Sequence, residues 1–153
     1  MKKSILFFVL IIACANAYGQ SSTLRKKHFN EQNHVAIDGY DPVAYFTQHK
    51  AVKGINTIAI TTLGITYYFS SLENKKLFIK NSAKYEPQYG GWCAYAMSTS
   101  GRKAKVDPTN FKIIDQKLYL FCDESSKNAI SGWKKDDKTV IAKGDKNWSE
   151  QYK

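Results

Sequence analysis

Leu63-Gly64-Ile65-Thr66-Tyr67-Tyr68-Phe69-Ser70-Ser71-Leu72-Glu73-Asn74-Lys75-Lys76-Leu77-Phe78-Ile79-Lys80 joins a strand signal to a helix signal. Leu63-Gly64 supplies a turn, and Ile65 to Phe69 is made of β-branched and aromatic residues that suit a pleated surface. The preceding stretch from Thr57 to Leu63 is equally rich in Ile and Thr, so the two runs predict a β-hairpin. Ser70 to Glu73 then matches a capping box, with Ser70 expected to accept from an early helix amide and Glu73 to reach back. The helix is predicted to run to about Asn81. Its Leu72, Leu77 and Phe78 cluster on one face, Lys75, Lys76 and Lys80 are left for water, and Pro87 bars a long continuation.

Outward from this stretch the same alternation continues. Asp41-Pro42 is a helix start, because Asp caps and Pro is pre-set for the first turn, and it predicts a short helix at 42–48. Phe111 to Ile114, Asp115-Gln116, and Leu118 to Cys122 read as strand, tight turn and strand, without the Gly such a turn usually carries. Ser126 to Trp133 reads as a last helix before a basic tail. Residues 18–33 read as a flexible leader, with Arg25, Lys26, Lys27 and His28 in water and order beginning near Val35. The expected fold is therefore α+β, a small single domain of β-hairpins and short helices over residues 34–153.

The chain has 153 residues, of which 43% are apolar and 14% aromatic, enough for one proper core and incompatible with disorder throughout. Three Cys exclude a disulfide-stapled miniprotein. Lys2 and Lys3, the apolar run from Ile5 to Ala15 and the Ala15-Asn16-Ala17 site read as a signal peptide over residues 1–17, with cleavage as late as residue 20 as a variant. The apolar run is too short to span a bilayer, so no transmembrane segment is expected in the mature chain. Ile11-Ile12-Ala13-Cys14 also reads as a loose lipobox, in which Cys14 would be acylated. The protein is thus expected to be exported, periplasmic or secreted, or anchored as a lipoprotein at Cys14. A net charge of +10 suits anionic envelope surfaces or solubility, and with no recognised motif a nucleic-acid partner is not expected.

Three stretches together resemble the YHS domain family in its secreted, stand-alone bacterial version. They are Ile37-Asp38-Gly39-Tyr40-Asp41-Pro42-Val43-Ala44-Tyr45-Phe46, then Tyr67-Tyr68-Phe69-Ser70-Ser71 with Phe78, and Lys84-Tyr85-Glu86-Pro87-Gln88-Tyr89-Gly90-Gly91-Trp92-Cys93-Ala94. Val106-Asp107-Pro108, Lys117-Leu118-Tyr119-Leu120, Trp133 and Trp148 also fit that pattern. Relatives of the domain sit in copper-transporting ATPases and some hydroxylases, and the resemblance implies binding of a soft or borderline metal through Cys. The metal-linked version resembles D-P-V-C-G-M followed by Y-F-C-S-x-x-C. Here Ala44, Ser70 and Asn74 stand where its three Cys would be, and Ser or Asn does not replace a thiolate for a soft metal.

Cys93 remains. Met97, four residues on, shares its face if the segment is helical, which makes Cys93 and Met97 a candidate Cu(I) pair. The alternative is a small buried hydrophobe beside a core filler. Gly90 and Gly91 permit close backbone approaches, and Tyr40, Tyr45, Tyr85 and Tyr89 either pack the core or line a pocket with them. Cys93 and Cys122 are a candidate disulfide. His28, His34 and His49 read as solvated, with no spacing suited to zinc. No catalytic residue is assigned. The leading expectation is an exported binding module with copper at Cys93; a metal-free small-molecule or partner-binding domain is the alternative, and a thiol-dependent redox or transfer enzyme at Cys93 the third.

Overall fold

The computed structural model describes residues 22–122 and 137–152. The expected signal peptide, the expected lipobox at Cys14 and the helix expected from Ser126 to Trp133 lie outside these residues. Among the described residues no helix is long and apolar enough to cross a membrane.

The chain enters through a helix at residues 22–28, α1. Two short strands follow, β1 (Glu31–Gln32) and β2 (Val35–Ala36), then α2 (Ala44–Thr47). β3 (Ile55–Thr62) and β4 (Ile65–Phe69) form the expected hairpin, with Leu63 and Gly64 both at positive φ in the turn. β2 pairs parallel to β4, giving a four-stranded sheet in the order β1-β2-β4-β3. Along β4 burial alternates residue by residue, so Ile65, Tyr67 and Phe69 enter the core. They pack with Tyr45 and with Phe78 from α3 (Leu72–Lys80), which lies against this sheet. A second layer continues through α4 (Ser82–Tyr85), a 3₁₀ turn at Gln88–Gly91, α5 (Ala94–Ser100), the hairpin β5 (Asp107–Ile114) with β6 (Lys117–Phe121), and α6 (Asp137–Gln151). The fold is α+β, as expected. The turn of the second hairpin also forms without Gly: Asp115 and Gln116 adopt φ of 49° and 59°, which costs roughly 1–2 kcal/mol per residue.

Three expectations need correction. Ser71 caps α3, accepting from the Asn74 amide at 3.1 Å, while Ser70 is committed to Asp41. Replacing Ser71 with Ala is therefore expected to cost about 0.5–2 kcal/mol in urea unfolding, and an unchanged midpoint would show that the cap contributes nothing. Residues 22–28 are not a mobile leader but a helix with Arg25 and His28 buried. The stretch expected as a basic tail contains α6, whose Val140, Ile141 and Trp148 pack on Tyr89, Ala94, Met97, Tyr119 and Phe121.

Candidate functional site

Asp41 organises the positions at which thiolates were absent from the sequence. Its Oδ1 accepts from the amides of Val43 (2.8 Å) and Ala44 (3.3 Å), which starts α2. Its Oδ2 accepts from the Ser70 amide, the Ser70 hydroxyl and Asn74 Nδ2 at 2.8, 2.6 and 2.7 Å. A carboxylate offers about four lone-pair directions, and five donors saturate them. Ala44, Ser70 and Asn74 thus surround a closed hydrogen-bonded carboxylate with no thiolate, and this place does not fit a soft metal.

Cys93 is wholly buried at the start of α5. Its Sγ accepts from the Cys122 amide at 3.1 Å, and both cysteines are free thiols. Burial and the hydrogen bond to Cys93 push the Cys122 thiol up to about 12. Met97 is one helical turn from Cys93 and equally buried, in the cluster with Tyr89, Tyr119 and Phe121. Among the described residues no three His, Cys, Asp or Glu side chains are grouped to hold a metal ion.

The tyrosines and glycines separate. Tyr45 is buried with its hydroxyl donating to the Pro108 carbonyl, and burial raises its pKa well beyond the ordinary phenol range. Tyr85 is buried edge-on to Phe46, and Tyr40 carries the Lys53 ammonium 4.1 Å from its ring centre. Gly91 gives its carbonyl to Asn30 Nδ2. Only Tyr89 and Gly90 of the six line the cavity of about 400 Å³ that opens beside the Pro87 to Gly90 turn.

That cavity lies between α1, the turn and α6. Tyr89 holds a left-handed backbone (φ 55°), a conformation that strains a non-Gly residue, and its hydroxyl donates to Asp145 Oδ1 at 3.1 Å on α6. Burial and the Asp145 charge raise the Tyr89 pKa, so the phenol stays protonated. Gly90 has φ +60°, and a Cβ there would come within 3.0 Å of both Phe29 and Trp148. These are the rings that face each other across the turn, so the glycine permits the walls to approach. On the inner side Arg25 bonds Glu86 through both terminal nitrogens, and Tyr67 donates to the same carboxylate at 2.9 Å. Burial alone would lower the Arg25 pKa, but the hydrogen bond and charge of Glu86 outweigh it and raise it.

Sequence reasoning missed Phe29, Asp145 and Tyr152 altogether and had Arg25 and His28 in a flexible leader. His28 is buried. Burial, with Lys103 and Lys27 nearby, lowers its pKa. Lys103 Nζ lies 2.9 Å from Nδ1 and can only donate, so the proton of the neutral ring is on Nε2. His34, by contrast, is exposed and weakly paired with Glu31 at 3.4 Å. No family model matches the chain, and no curated protein or solved structure matches it.

Proposed function

We propose that the chain is a binding module of the YHS type, acting outside the cytoplasm, whose ligand site is the cavity beside Pro87 to Gly90. One observation carries the reading: the stretch most specific to the family resemblance, Lys84 to Ala94, provides Glu86, Pro87, Gln88, Tyr89 and Gly90 to the wall of one cavity. The wall suits binding rather than catalysis, because Arg25 is held by Glu86 and the Tyr89 phenol is committed to Asp145. Export is supported by the Lys2-Lys3 start, the short apolar run and the Ala15-Asn16-Ala17 site.

A second reading, Cu(I) at Cys93, is favoured by the adjacency of Cys122 rather than by Met97. The Cys122 thiol is hydrogen-bonded to Cys93, and the two would form a soft donor pair on giving up their protons as the metal binds, whereas the Met97 side chain is embedded among Tyr119 and Phe121.

One set of titrations followed by amide chemical shifts tests both. A panel of neutral, anionic and cationic fragments is expected to contain members that shift Gly90 and the Trp148 indole. Cu(I) supplied with a competing chelator should instead move Cys93 and Cys122, and lose its effect in Cys93→Ser. A fragment panel that leaves the Gly90 and Trp148 signals in place removes the cavity reading, and Cu(I) binding that survives Cys93→Ser removes the second.

A further inference from the structure

We propose that the cavity takes a small organic cation of the alkylated-ammonium class, its substituted head against the aromatic wall and its charge beside Asp145. The inference deepens the cavity reading and rests on it. Four aromatic side chains contribute to the lining: Phe29, Tyr89, Trp148 and Tyr152. Trp148 stacks on Tyr152 with centroids 5.2 Å apart, and Phe29 and Tyr89 stand 6.4 and 6.5 Å from Trp148 at steep angles. Rings set at such angles do not all stack on one another, and the π faces that line the cavity attract diffuse positive charge.

The charges point the same way. The whole chain carries +10, yet the charged side chains at the wall are two acids, Glu86 and Asp145, against one base, Arg25. Arg25 is spent on Glu86 and itself lies over Phe29 at 4.2 Å, so this protein already seats one cation on that ring. Asp145 is exposed, accepts from the neutral Tyr89 hydroxyl, and forms no ion pair among the described residues. It is the carboxylate left to balance a ligand. An anion would meet Glu86 and Asp145 with the guanidinium already engaged. A primary ammonium would lose strong hydration and find few acceptors, whereas an alkylated head is weakly hydrated and is satisfied by ring faces and one nearby carboxylate.

The test compares choline with 3,3-dimethyl-1-butanol, which has the same shape and no charge, on the full chain by calorimetry and amide shifts. Choline is expected to bind at least about tenfold more tightly than the neutral isostere, with shifts at Gly90 and the Trp148 indole. Asp145→Asn, a change at an exposed position, should weaken choline several-fold and leave the isostere unchanged. Trp148→Leu should weaken choline further, and the Asp145 variant keeps the test valid if that protein unfolds. Equal affinity for the two probes at the cavity overturns the cation inference while the cavity reading stands. Silence of both probes at Gly90 and Trp148 also overturns it, and the fragment panel then decides the cavity reading separately.

Discussion

Asp41→Ala is expected to cost about 3–5 kcal/mol of stability, the range for breaking a buried charged hydrogen-bonded group by removing one side of it. The carboxylate is fully buried and accepts from three amides, a hydroxyl and a carboxamide. Truncation leaves those donors in the interior at once, and they belong to three segments: the start of α2, the end of β4 and the first turn of α3. In a chain of this size the melting temperature should fall by about 10 °C, at roughly 2–4 °C per kcal/mol. Ser70→Ala, which removes one hydroxyl donor and keeps the carboxylate, should cost only about 1 kcal/mol. Urea unfolding of both variants reads the contrast. Equal midpoints for the two would show that Asp41 is not the centre of the network.

Gly144→Val is expected to destabilise by about 1–3 kcal/mol, the range for overpacking an interior contact. Glycine in the middle of a helix ordinarily weakens it by about 1 kcal/mol relative to Ala, so filling such a position would normally help. Here the sign reverses. A Cβ at Gly144 would stand 2.5 Å from the Tyr89 hydroxyl oxygen and 2.7 Å from Ser98 Oγ. Neither neighbour has an easy retreat, because Tyr89 is fixed by its left-handed backbone and its bond to Asp145, and Ser98 Oγ donates to the Ala94 carbonyl at 2.8 Å. The helix must then lift from α5, losing the donation of Asn147 Nδ2 to the Met97 carbonyl at 2.8 Å and of Gln151 to the Gly101 carbonyl. Denaturation should show the loss. The Trp148 emission should also move to the red, and a variant as stable as the parent with unmoved emission would show that α6 is not seated as described.

Much of the first layer was legible because local signals and burial agree. β4 forms where its β-branched and aromatic residues predict a strand, and Asp41 does start a helix, though its second oxygen serves the end of β4 and α3, a long-range role that no local pattern announces. The capping box was displaced by one residue for that reason: Ser70 and Ser71 offer the same hydroxyl, and Asp41 decides between them. α6 was missed although Val140, Ile141, Gly144, Trp148 and Tyr152 fall at helical spacing. Its lysines and central glycine resemble a solvated tail until the glycine is recognised as a point of close approach. α1 was missed because Arg25 and His28 look like charges for water, whereas the partners that bury them, Glu86 and Trp148, lie far along the chain. Of the candidate site, Tyr89 and Gly90 were within reach of the motif. Glu86 and Trp148 also fell in the family pattern, whereas Arg25, Phe29, Asp145 and Tyr152, which complete the wall, did not.

Segments remote in sequence meet at one turn: Arg25 holds Glu86 across 61 residues, and Tyr89 holds Asp145 across 56. Chains are delivered from the N-terminal end, and the sheet with its flanking α3 is complete by Lys80, whereas Trp148 and Tyr152 follow long after. The core of the first layer is therefore able to form while one wall of the cavity has yet to be made. Closure of the largest loops falls to the end of assembly, where it is entropically dearest to initiate but already has a formed surface to land on. A translation stop before Asp137 would leave most of the first-layer core in place and take away the wall that makes the turn at Gly90 a recess rather than a surface.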